Sequence, residues 1–212
     1  MIGASIGRGA MAIINAMVRG LSSAGVHPNI LTTIGVTINV LCGVLFGLGE
    51  FFWAGVVLIL ANLFDMLDGN VARLSGRVSQ FGSFLDSSLD RVSDMVCFIG
   101  IMIFYARDIP QHSTLNVYLA GMGLLGSVMV SYTTAKSEGF GIKANVGFLQ
   151  RPERIVLFII GGLSTWNWES TSFFANRMTQ VLWVLAIGSF WTFLQRMFYT
   201  WFEMRKMDES NQ

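Results

Sequence analysis

Aspartates are concentrated in residues 65–94, a stretch that apolar segments flank on both sides. Asp65 and Asp68 are three residues apart, and Asp86 and Asp90 are four apart, so each pair shares one face of a helix. Because carboxylates next to membrane segments are costly, such a cluster indicates a functional site. Four carboxylates on two facing helices can hold one or two hard divalent cations, of which Mg²⁺ readily shares oxygen ligands with substrate phosphates.

Small and basic residues between the two aspartate pairs suit a phosphate ligand. Gly69 and Gly82 remove side chains where close backbone approach is needed, and Arg73 supplies a planar cation. Ser79 can donate to a phosphate or ribose oxygen, or it is an ordinary loop serine. Taken together, the carboxylates, glycines and arginine indicate a site for a metal-bound phosphate or diphosphate.

Two other charged residues in this stretch have a structural explanation. Asp94 lies three residues after Arg91 and is expected to pair with it. Arg77 is expected to be a solvated loop cation. A single aspartate pair could also be an ion pair or a helix cap, but four carboxylates at spacings of 3, 18 and 4 residues favour a functional cluster.

These residues resemble the signature of the CDP-alcohol phosphotransferase family. Eight residues at fixed spacing over 26 positions match it: Asp65-x2-Asp68-Gly69-x2-Ala72-Arg73-x8-Gly82-x3-Asp86-x3-Asp90. The resemblance implies an all-α integral membrane bundle that assembles as a homodimer. It also implies an enzyme that uses Mg²⁺ or Mn²⁺, two ions per active site, to transfer a substituted phosphate from a CDP-linked donor to an alcohol, with release of CMP.

The same resemblance gives each aspartate a role. Asp65, Asp68 and Asp86 are expected to be metal ligands, and Asp90 to contribute to the second of two ions. Asp90 is also expected to be the general base that accepts the proton of the acceptor hydroxyl. The sequence leaves open whether Asp90 is the general base, a metal ligand or both.

A second set of residues is expected to contact the CDP-lipid. Pro28-Asn29-x2-Thr32 matches the family's approach to its first span, although Asn29 or Thr32 could instead cap that helix. The complete expected set is Pro28, Asn29, Thr32, Gly69, Ala72, Arg73, Ser79 and Gly82.

Four cations, including Lys136, Arg151 and Arg154, fall within residues 136–154. A positive-inside loop explains their number. However, these three flank the ends of predicted spans, so they are expected to face the aspartates and hold the phosphate of an anionic acceptor.

The sequence around these cations also suggests which acceptor is used. Arg151-Pro152-Glu153-Arg154, together with Tyr132, Lys136 and Glu138, resembles the phosphatidylinositol-phosphate synthase branch, which implies inositol 1-phosphate. One departure from that branch is Thr134-Ala135-Lys136, where a Lys-Ala-Arg run is typical. Glycerol 3-phosphate, the acceptor of a phosphatidylglycerophosphate synthase, is the alternative.

Composition indicates a membrane protein of one domain. The 212 residues are 53% hydrophobic and 13% charged, against about a quarter charged in soluble domains. Net charge is +1, and no basic run with interleaved aromatics indicates nucleic-acid binding. Cys42 and Cys97 lie in apolar runs and are expected to be buried without a disulfide.

Hydropathy predicts six transmembrane helices, preceded by a short helix over residues 8–23 that is either interfacial or packed on the bundle. The domain is thus divided into a helix and loop at 1–26, a bundle at 27–205 and a tail at 206–212. The predicted spans are 30–48, 51–68, 84–105, 115–136, 152–170 and 179–201.

Charge asymmetry predicts the orientation. Twelve of the 14 basic residues lie on one side of these spans and only Arg107 and Arg177 on the other. By the positive-inside rule both termini and the aspartates are expected to face the cytoplasm. In a prokaryote, the membrane would be the plasma membrane. No cleavable signal is evident at the N-terminus.

Two other classes of protein also bind divalent cations with aspartates in a membrane. A prenyltransferase uses Mg²⁺ on a diphosphate, but its motif lacks the Gly69-x2-Ala72-Arg73 element. A divalent-cation transporter would be expected to show paired, interrupted half-repeats, and none is evident. The sequence therefore favours phosphatidyl transfer over both.

Overall fold

The computed structural model describes residues 14–166 and 176–210, which contain helices and no strands. A helix over residues 14–23, here α1, precedes six longer ones. These are α2 (Pro28–Leu48), α3 (Phe51–Leu74), α4 (Gln80–Ala106), α5 (Thr114–Glu138), α6 (Arg151–Leu163) and α7 (Met178–Ser210).

The six longer helices pack as a closed ring. Helix α2 packs against both α3 and α4, α4 against α5, and α5 against α7. Helix α7 then packs against α6, which returns to α3. The ring therefore brings α3, α4 and α6, which carry the aspartates and the predicted acceptor cations, around a common interior.

Aromatic side chains fill one end of this interior. Phe46, Phe51, Phe98 and Phe158 are almost fully buried and meet edge to face or at a tilt. Cys42 and Cys97 are buried beside them as free thiols, as the sequence predicts. Burial of this apolar surface anchors the end of the bundle away from the aspartates.

Each of the six predicted spans coincides with a helix, and within residues 14–166 and 176–210 four helices have the length and composition of a membrane span. These four are Pro28–Leu48, Phe51–Leu74, Thr114–Glu138 and Met178–Glu209. Helix α4 differs because four charged residues lie within it between positions 86 and 94: Asp86, Asp90, Arg91 and Asp94. Helix α6 has 13 residues, and residues 167–170 of the predicted fifth span lie outside the described residues. The protein is an all-helical membrane protein, whereas the number of crossings stays a prediction.

Helix α1 packs on the bundle. Val18 is buried in a small apolar cluster with Leu31, Leu67 and Val71. Residues 8–13 of the predicted helix lie outside the described part of the chain. The contacts of Val18 favour the packed alternative for residues 14–23.

Two glycines let α2 and α4 approach closely. A Cβ at Gly100 would lie 2.1 Å from the carbonyl oxygen of Gly43, and a Cβ at Gly43 would lie 2.7 Å from the carbonyl oxygen of Val96. Because these obstacles are backbone atoms, neither contact can be relieved by a change of side-chain rotamer.

We expect Gly100→Ala to lower the Tm of the detergent-solubilised protein, because the added methyl group forces α2 and α4 apart. Overpacking of this kind costs about 1–3 kcal/mol. Gly121→Ala is the matched control, since a Cβ there meets only the Cε atom of Met102 at 3.7 Å. Equal Tm values for the two variants, measured by thermal unfolding, would contradict the expectation.

Candidate active site

A cavity of about 250 Å³ opens between α2, α3 and α4. All eight residues predicted to contact the CDP-lipid line it, together with Asp68 and Asp86. The two halves of the predicted signature therefore meet at one concave surface, although the turn between α3 and α4 separates them in the chain.

Helix starts place the polar side chains around the cavity. The side chain of Ser79 caps α4 by accepting a hydrogen bond from the Gly82 amide at 2.9 Å. The ring of His27 caps α2 by accepting from the Asn29 amide at 3.3 Å. The alternative that Asn29 or Thr32 caps α2 is therefore wrong, and both residues line the cavity.

Thr32 connects α2 to the aspartate cluster. Its hydroxyl donates to Oδ2 of Asp68 at 2.6 Å and also lies 3.3 Å from the carbonyl oxygen of Pro28. Both Thr32 and Asp68 are buried. Thr32 is a neutral donor, so it orients one oxygen of Asp68 without cancelling a negative charge on the carboxylate.

The two glycines of the signature lie differently in the cavity. A Cβ at Gly69 would meet only Nη2 of Arg73, at 3.8 Å, so the backbone of Gly69 borders open space. A Cβ at Gly82 would lie 3.0 Å from the Ser79 hydroxyl and 3.7 Å from Oδ1 of Asn29. Gly69 thus allows a ligand to approach the helix backbone, and Gly82 also leaves room for the capping serine.

Arg77 lines the same cavity, which the sequence did not predict. It is exposed, as expected of a loop cation, but Nη1 donates to the carbonyl oxygen of Gly25 at 3.1 Å. The bond ties the α3–α4 turn to the loop before α2. Arg77 follows Arg73 by four residues, a spacing that would place both on one face of a continuous helix. Helix α3 ends at Leu74, however, so the spacing could not predict the position of Arg77.

Asp65 and Asp90 lie beside the cavity and share one cation. Nη2 of Arg151 lies 2.9 Å from Oδ2 of Asp65 and 2.7 Å from Oδ1 of Asp90. A Cβ at Gly35 would be 3.0 Å from Oδ1 of Asp65, so this glycine gives the carboxylate its space on α2. Arg151 therefore links α6 to both ends of the aspartate signature.

Nearby carboxylates also stabilise the positive charge of Arg151. Burial acts to lower its pKa, but Asp90, Asp94 and Asp65 outweigh it and raise the pKa above its ordinary value. The guanidinium group, which stays charged in proteins, lies at the edge of the site with 27% of its side chain exposed.

Arg154 lies deeper than Arg151. It is 2% exposed, and its Nε and Nη2 atoms donate to Oδ2 of Asp94 at 3.2 and 2.6 Å. The prediction that Asp94 pairs with Arg91 is wrong. Helical side chains lean toward the N-terminus, and Arg91 accordingly donates to the carbonyl oxygen of Ser87, one turn earlier.

Lys136 is separate from the aspartates. It is exposed at the end of α5, and its ammonium group lies 5.7 Å from the centre of the Phe140 ring. Of the three predicted acceptor cations, Arg151 alone contacts carboxylates of the signature within the described residues.

The chemistry of the four signature aspartates suits a divalent metal ion. Asp65, Asp68, Asp86 and Asp90 supply only oxygen ligands, as hard cations require. Within residues 14–166 and 176–210, no group of three His, Cys, Asp or Glu side chains converges closely enough to hold an ion. The four aspartates would therefore have to change side-chain rotamers in order to bind a shared metal ion.

The helical ring and the aspartate cavity define a membrane-bound phosphatidyltransferase of the CDP-alcohol type. A model of the CDP-alcohol phosphatidyltransferase family matches residues 25–201, and the chain belongs to this family. The resemblance predicted from the sequence is confirmed.

Relatives with assigned names agree on the branch. The phosphatidylinositol phosphate synthase of Mycobacterium tuberculosis H37Rv is 33% identical over 194 residues, covering 89% of this chain and 86% of that one. The archaetidylinositol phosphate synthase of Pyrococcus horikoshii is 35% identical over 180 residues, covering 84% and 85%.

Solved structures of the M. tuberculosis synthase share the fold. The structure with CDP-DAG bound has a TM-score of 0.80 at 32% identity, covering 90% of this chain and 94% of that one. The complex with manganese and citrate has a TM-score of 0.79 at 31% identity, covering 89% and 88%. A fold of this family thus accepts both a CDP-linked lipid and a divalent metal.

Proposed function

We propose that this protein transfers a phosphatidyl group from CDP-diacylglycerol to a hydroxyl of a phosphorylated alcohol, and that the acceptor is inositol 1-phosphate. The observation that carries the proposal is the single cavity lined by all eight predicted CDP-lipid residues and by Asp68 and Asp86. The product is then phosphatidylinositol phosphate, and CMP is released.

The transfer forms one bond and breaks another. The acceptor oxygen bonds to the phosphorus that carries the diacylglycerol, and the diphosphate bond to CMP breaks. Arg73 and the open backbone at Gly69 hold the diphosphate, because a guanidinium group donates to phosphate oxygens in a fixed planar geometry. Asn29 and Ser79 offer polar atoms to the nucleotide at the α2 side.

A divalent cation belongs with the four signature aspartates. We assign Asp65, Asp68, Asp86 and Asp90 as the residues that hold Mg²⁺ or Mn²⁺, as two ions. Such cations neutralise the diphosphate and stabilise the leaving CMP when bound. The manganese complex of the mycobacterial synthase supports a divalent metal of this kind.

Asp90 and Arg151 are assigned to the acceptor. Arg151 binds the acceptor phosphate, and its 2.7 Å contact with Asp90 brings that phosphate close to a carboxylate. Asp90 accepts the proton of the attacking hydroxyl as general base. A phosphorylated acceptor gains charge-assisted hydrogen bonds from Arg151 that a neutral alcohol lacks.

We further propose a single domain of six transmembrane helices with both termini and the active site in the cytoplasm, assembled as a homodimer. The four helices with the properties of membrane spans and the apolar outer surface support this topology. Single cysteines introduced into the α2–α3 turn and into the α3–α4 turn test this orientation. A membrane-impermeant thiol reagent should label the two turns from opposite sides of the membrane.

The reaction is tested with purified protein, CDP-diacylglycerol, Mg²⁺ and a panel of acceptors. We expect CMP release and labelled lipid with inositol 1-phosphate, and less with glycerol 3-phosphate, free inositol or serine. Preference for glycerol 3-phosphate would change the acceptor assignment alone. Metal uptake into proteoliposomes without CMP release would instead favour a transporter.

We expect Arg151→Ala to raise the KM for inositol 1-phosphate about tenfold or more, because one charged hydrogen bond to a phosphate contributes about 1.5–3 kcal/mol. The KM for CDP-diacylglycerol should change little. Lys143→Ala is the matched control, since Lys143 is an exposed cation in the loop that leads into α6. Steady-state kinetics with each substrate varied in turn measures both constants, and an unchanged acceptor KM would contradict the assignment.

A further inference from the structure

A second concave surface, a groove of about 400 Å³, lies between α4 and α5. On α4 its lining residues recur every three or four positions, as the residues of one helical face do: Phe84, Ser87, Ser88, Arg91 and Met95. Phe84, on α4, and Tyr132, on α5, are exposed, so the groove opens to the outside of the bundle. None of its lining residues belongs to the aspartate signature, and the groove is therefore separate from the aspartate cavity.

Arg91 gives this groove a positive charge. It is half-buried, and its Nη1 atom donates to the carbonyl oxygen of Ser87, a neutral acceptor. Within residues 14–166 and 176–210, no carboxylate lies within ion-pair distance of Arg91, whereas Arg151 and Arg154 both contact aspartates. The described chain thus supplies this cation with no counter-charge.

The position of the groove makes such a cation costly. On α5 the lining residues fall between Ser127 and Ala135, inside the apolar helix Thr114–Glu138, which has the properties of a membrane span. A charged side chain beside a membrane span is expensive unless it is paired or reaches the headgroup region. Because its bond to Ser87 directs Arg91 toward the start of α4, the guanidinium group points to the membrane surface, where lipid phosphates lie.

The lining changes from polar to apolar along the groove. Ser88 and Ser131 are half-buried near Arg91, and their hydroxyls can donate to phosphate oxygens. Met95 and Val128 lie further from the start of α4 and offer apolar surface. Phe84 to Met95 covers about 16 Å of helix at 1.5 Å per residue, close to half the thickness of a bilayer's hydrocarbon core. The groove therefore has the length and polarity of one lipid leaflet.

We propose that the groove between α4 and α5 binds an anionic glycerophospholipid, whose phosphate pairs with Arg91 and whose acyl chain lies against Met95 and Val128. Charge selects the class of lipid, because a cation and no carboxylate lines the described groove. An anionic headgroup is neutralised there, whereas the ammonium group of a zwitterionic headgroup finds no counter-charge. The bound lipid is distinct from the CDP-lipid, whose predicted contacts line the other cavity.

Native mass spectrometry of the detergent-solubilised protein tests the proposal, with phosphatidylglycerol and phosphatidylcholine of identical acyl chains as the probes. We expect one phosphatidylglycerol per chain and about tenfold weaker binding of phosphatidylcholine. Arg91→Gln should weaken phosphatidylglycerol about tenfold, because it removes the charge-assisted bond to the phosphate. Lys143→Gln is the matched control, since it removes an exposed cation outside the groove, and it should bind as wild type does.

Ser131→Trp tests the groove independently of Arg91. The indole ring fills the space between α4 and α5 and leaves the cation in place, so phosphatidylglycerol should again bind about tenfold more weakly. This variant decides the question if Arg91→Gln does not fold. Neither residue lines the aspartate cavity, so CMP release by both folded variants in lipid-free detergent should stay within about twofold of wild type.

Four results would overturn the proposal. Two are equal phosphatidylglycerol affinity in wild type, Arg91→Gln and Ser131→Trp, and equal affinity of wild type for the two lipids. A third is displacement of phosphatidylglycerol by an equal concentration of inorganic phosphate, which would make Arg91 a site for free anions. The fourth comes from a photo-cross-linking amino acid placed at Ser88, which should capture the lipid. Capture of a second chain without lipid would assign the groove to contact between two copies of the protein.

Discussion

Asp86→Asn is expected to lower kcat about 10³-fold while the protein stays folded. Asp86 lines the cavity with the predicted CDP-lipid residues, and the amide keeps the size of the side chain while removing its charge. A metal ligand that stabilises transition-state charge contributes several kcal/mol, and each 1.36 kcal/mol is tenfold in rate. Asp68→Asn should behave similarly, since Thr32 can still donate to the remaining oxygen.

The measurement is CMP release at saturating substrates, with Mn²⁺ affinity followed by electron paramagnetic resonance. Asp208→Asn, an exposed aspartate near the end of α7, is the control and should keep wild-type activity. Loss of folding is judged from Tm in detergent. Wild-type rates from either Asp86→Asn or Asp68→Asn would contradict the assignment of these carboxylates to the metal.

Asp90→Asn is expected to separate turnover from metal binding. General-base catalysis contributes about 10²–10⁴-fold, so kcat should fall by that range. Mn²⁺ affinity should fall less than in Asp86→Asn, because Asp90 is the ligand assigned to only one of two ions. The acceptor KM should also change, since Asp90 contacts Nη2 of Arg151 at 2.7 Å.

The two asparagine variants form a matched pair, because they neutralise aspartates four residues apart on the same helix. Titration of each with Mn²⁺ in the absence of substrates gives the metal affinity, and single-turnover kinetics gives the chemical step. Parallel losses of metal affinity and chemical rate in Asp90→Asn would make Asp90 a ligand only.

The family resemblance implied the role of the predicted CDP-lipid residues, and local spacing groups five of them, from Gly69 to Gly82. Asp65 to Asp90 cover one helix end, one turn and the start of the next helix, so helical spacing determines which side chains are neighbours. Pro28, Asn29 and Thr32 were added by the resemblance, and all eight predicted residues line one cavity. Short separations along the chain thus explain the grouping of the residues from Gly69 to Gly82, whereas the three residues on α2 depended on the resemblance.

Relations between distant helices could not be predicted in the same way. Arg91 was the nearest cation to Asp94 along α4, yet Arg154 is its partner because α6 returns to the ring interior. Gly35 gives space to Asp65 across the α2–α3 contact, and no sequence pattern identifies that pairing. Periodicity determines which face of a helix a residue occupies, whereas the helix opposite that face depends on how the ring closes.

The Asp94–Arg154 pair has a consequence for how the chain is made. The two residues are 60 positions apart, so α4 leaves the ribosome well before its partner is synthesised. At about 5–20 residues per second, Asp94 waits roughly 3–12 s for its counter-charge. During that interval the carboxylate has no arginine beside it, and exposure to lipid would be costly. We therefore expect α4 to stay in contact with the translocation machinery until α6 emerges, so that the two helices enter the bilayer together.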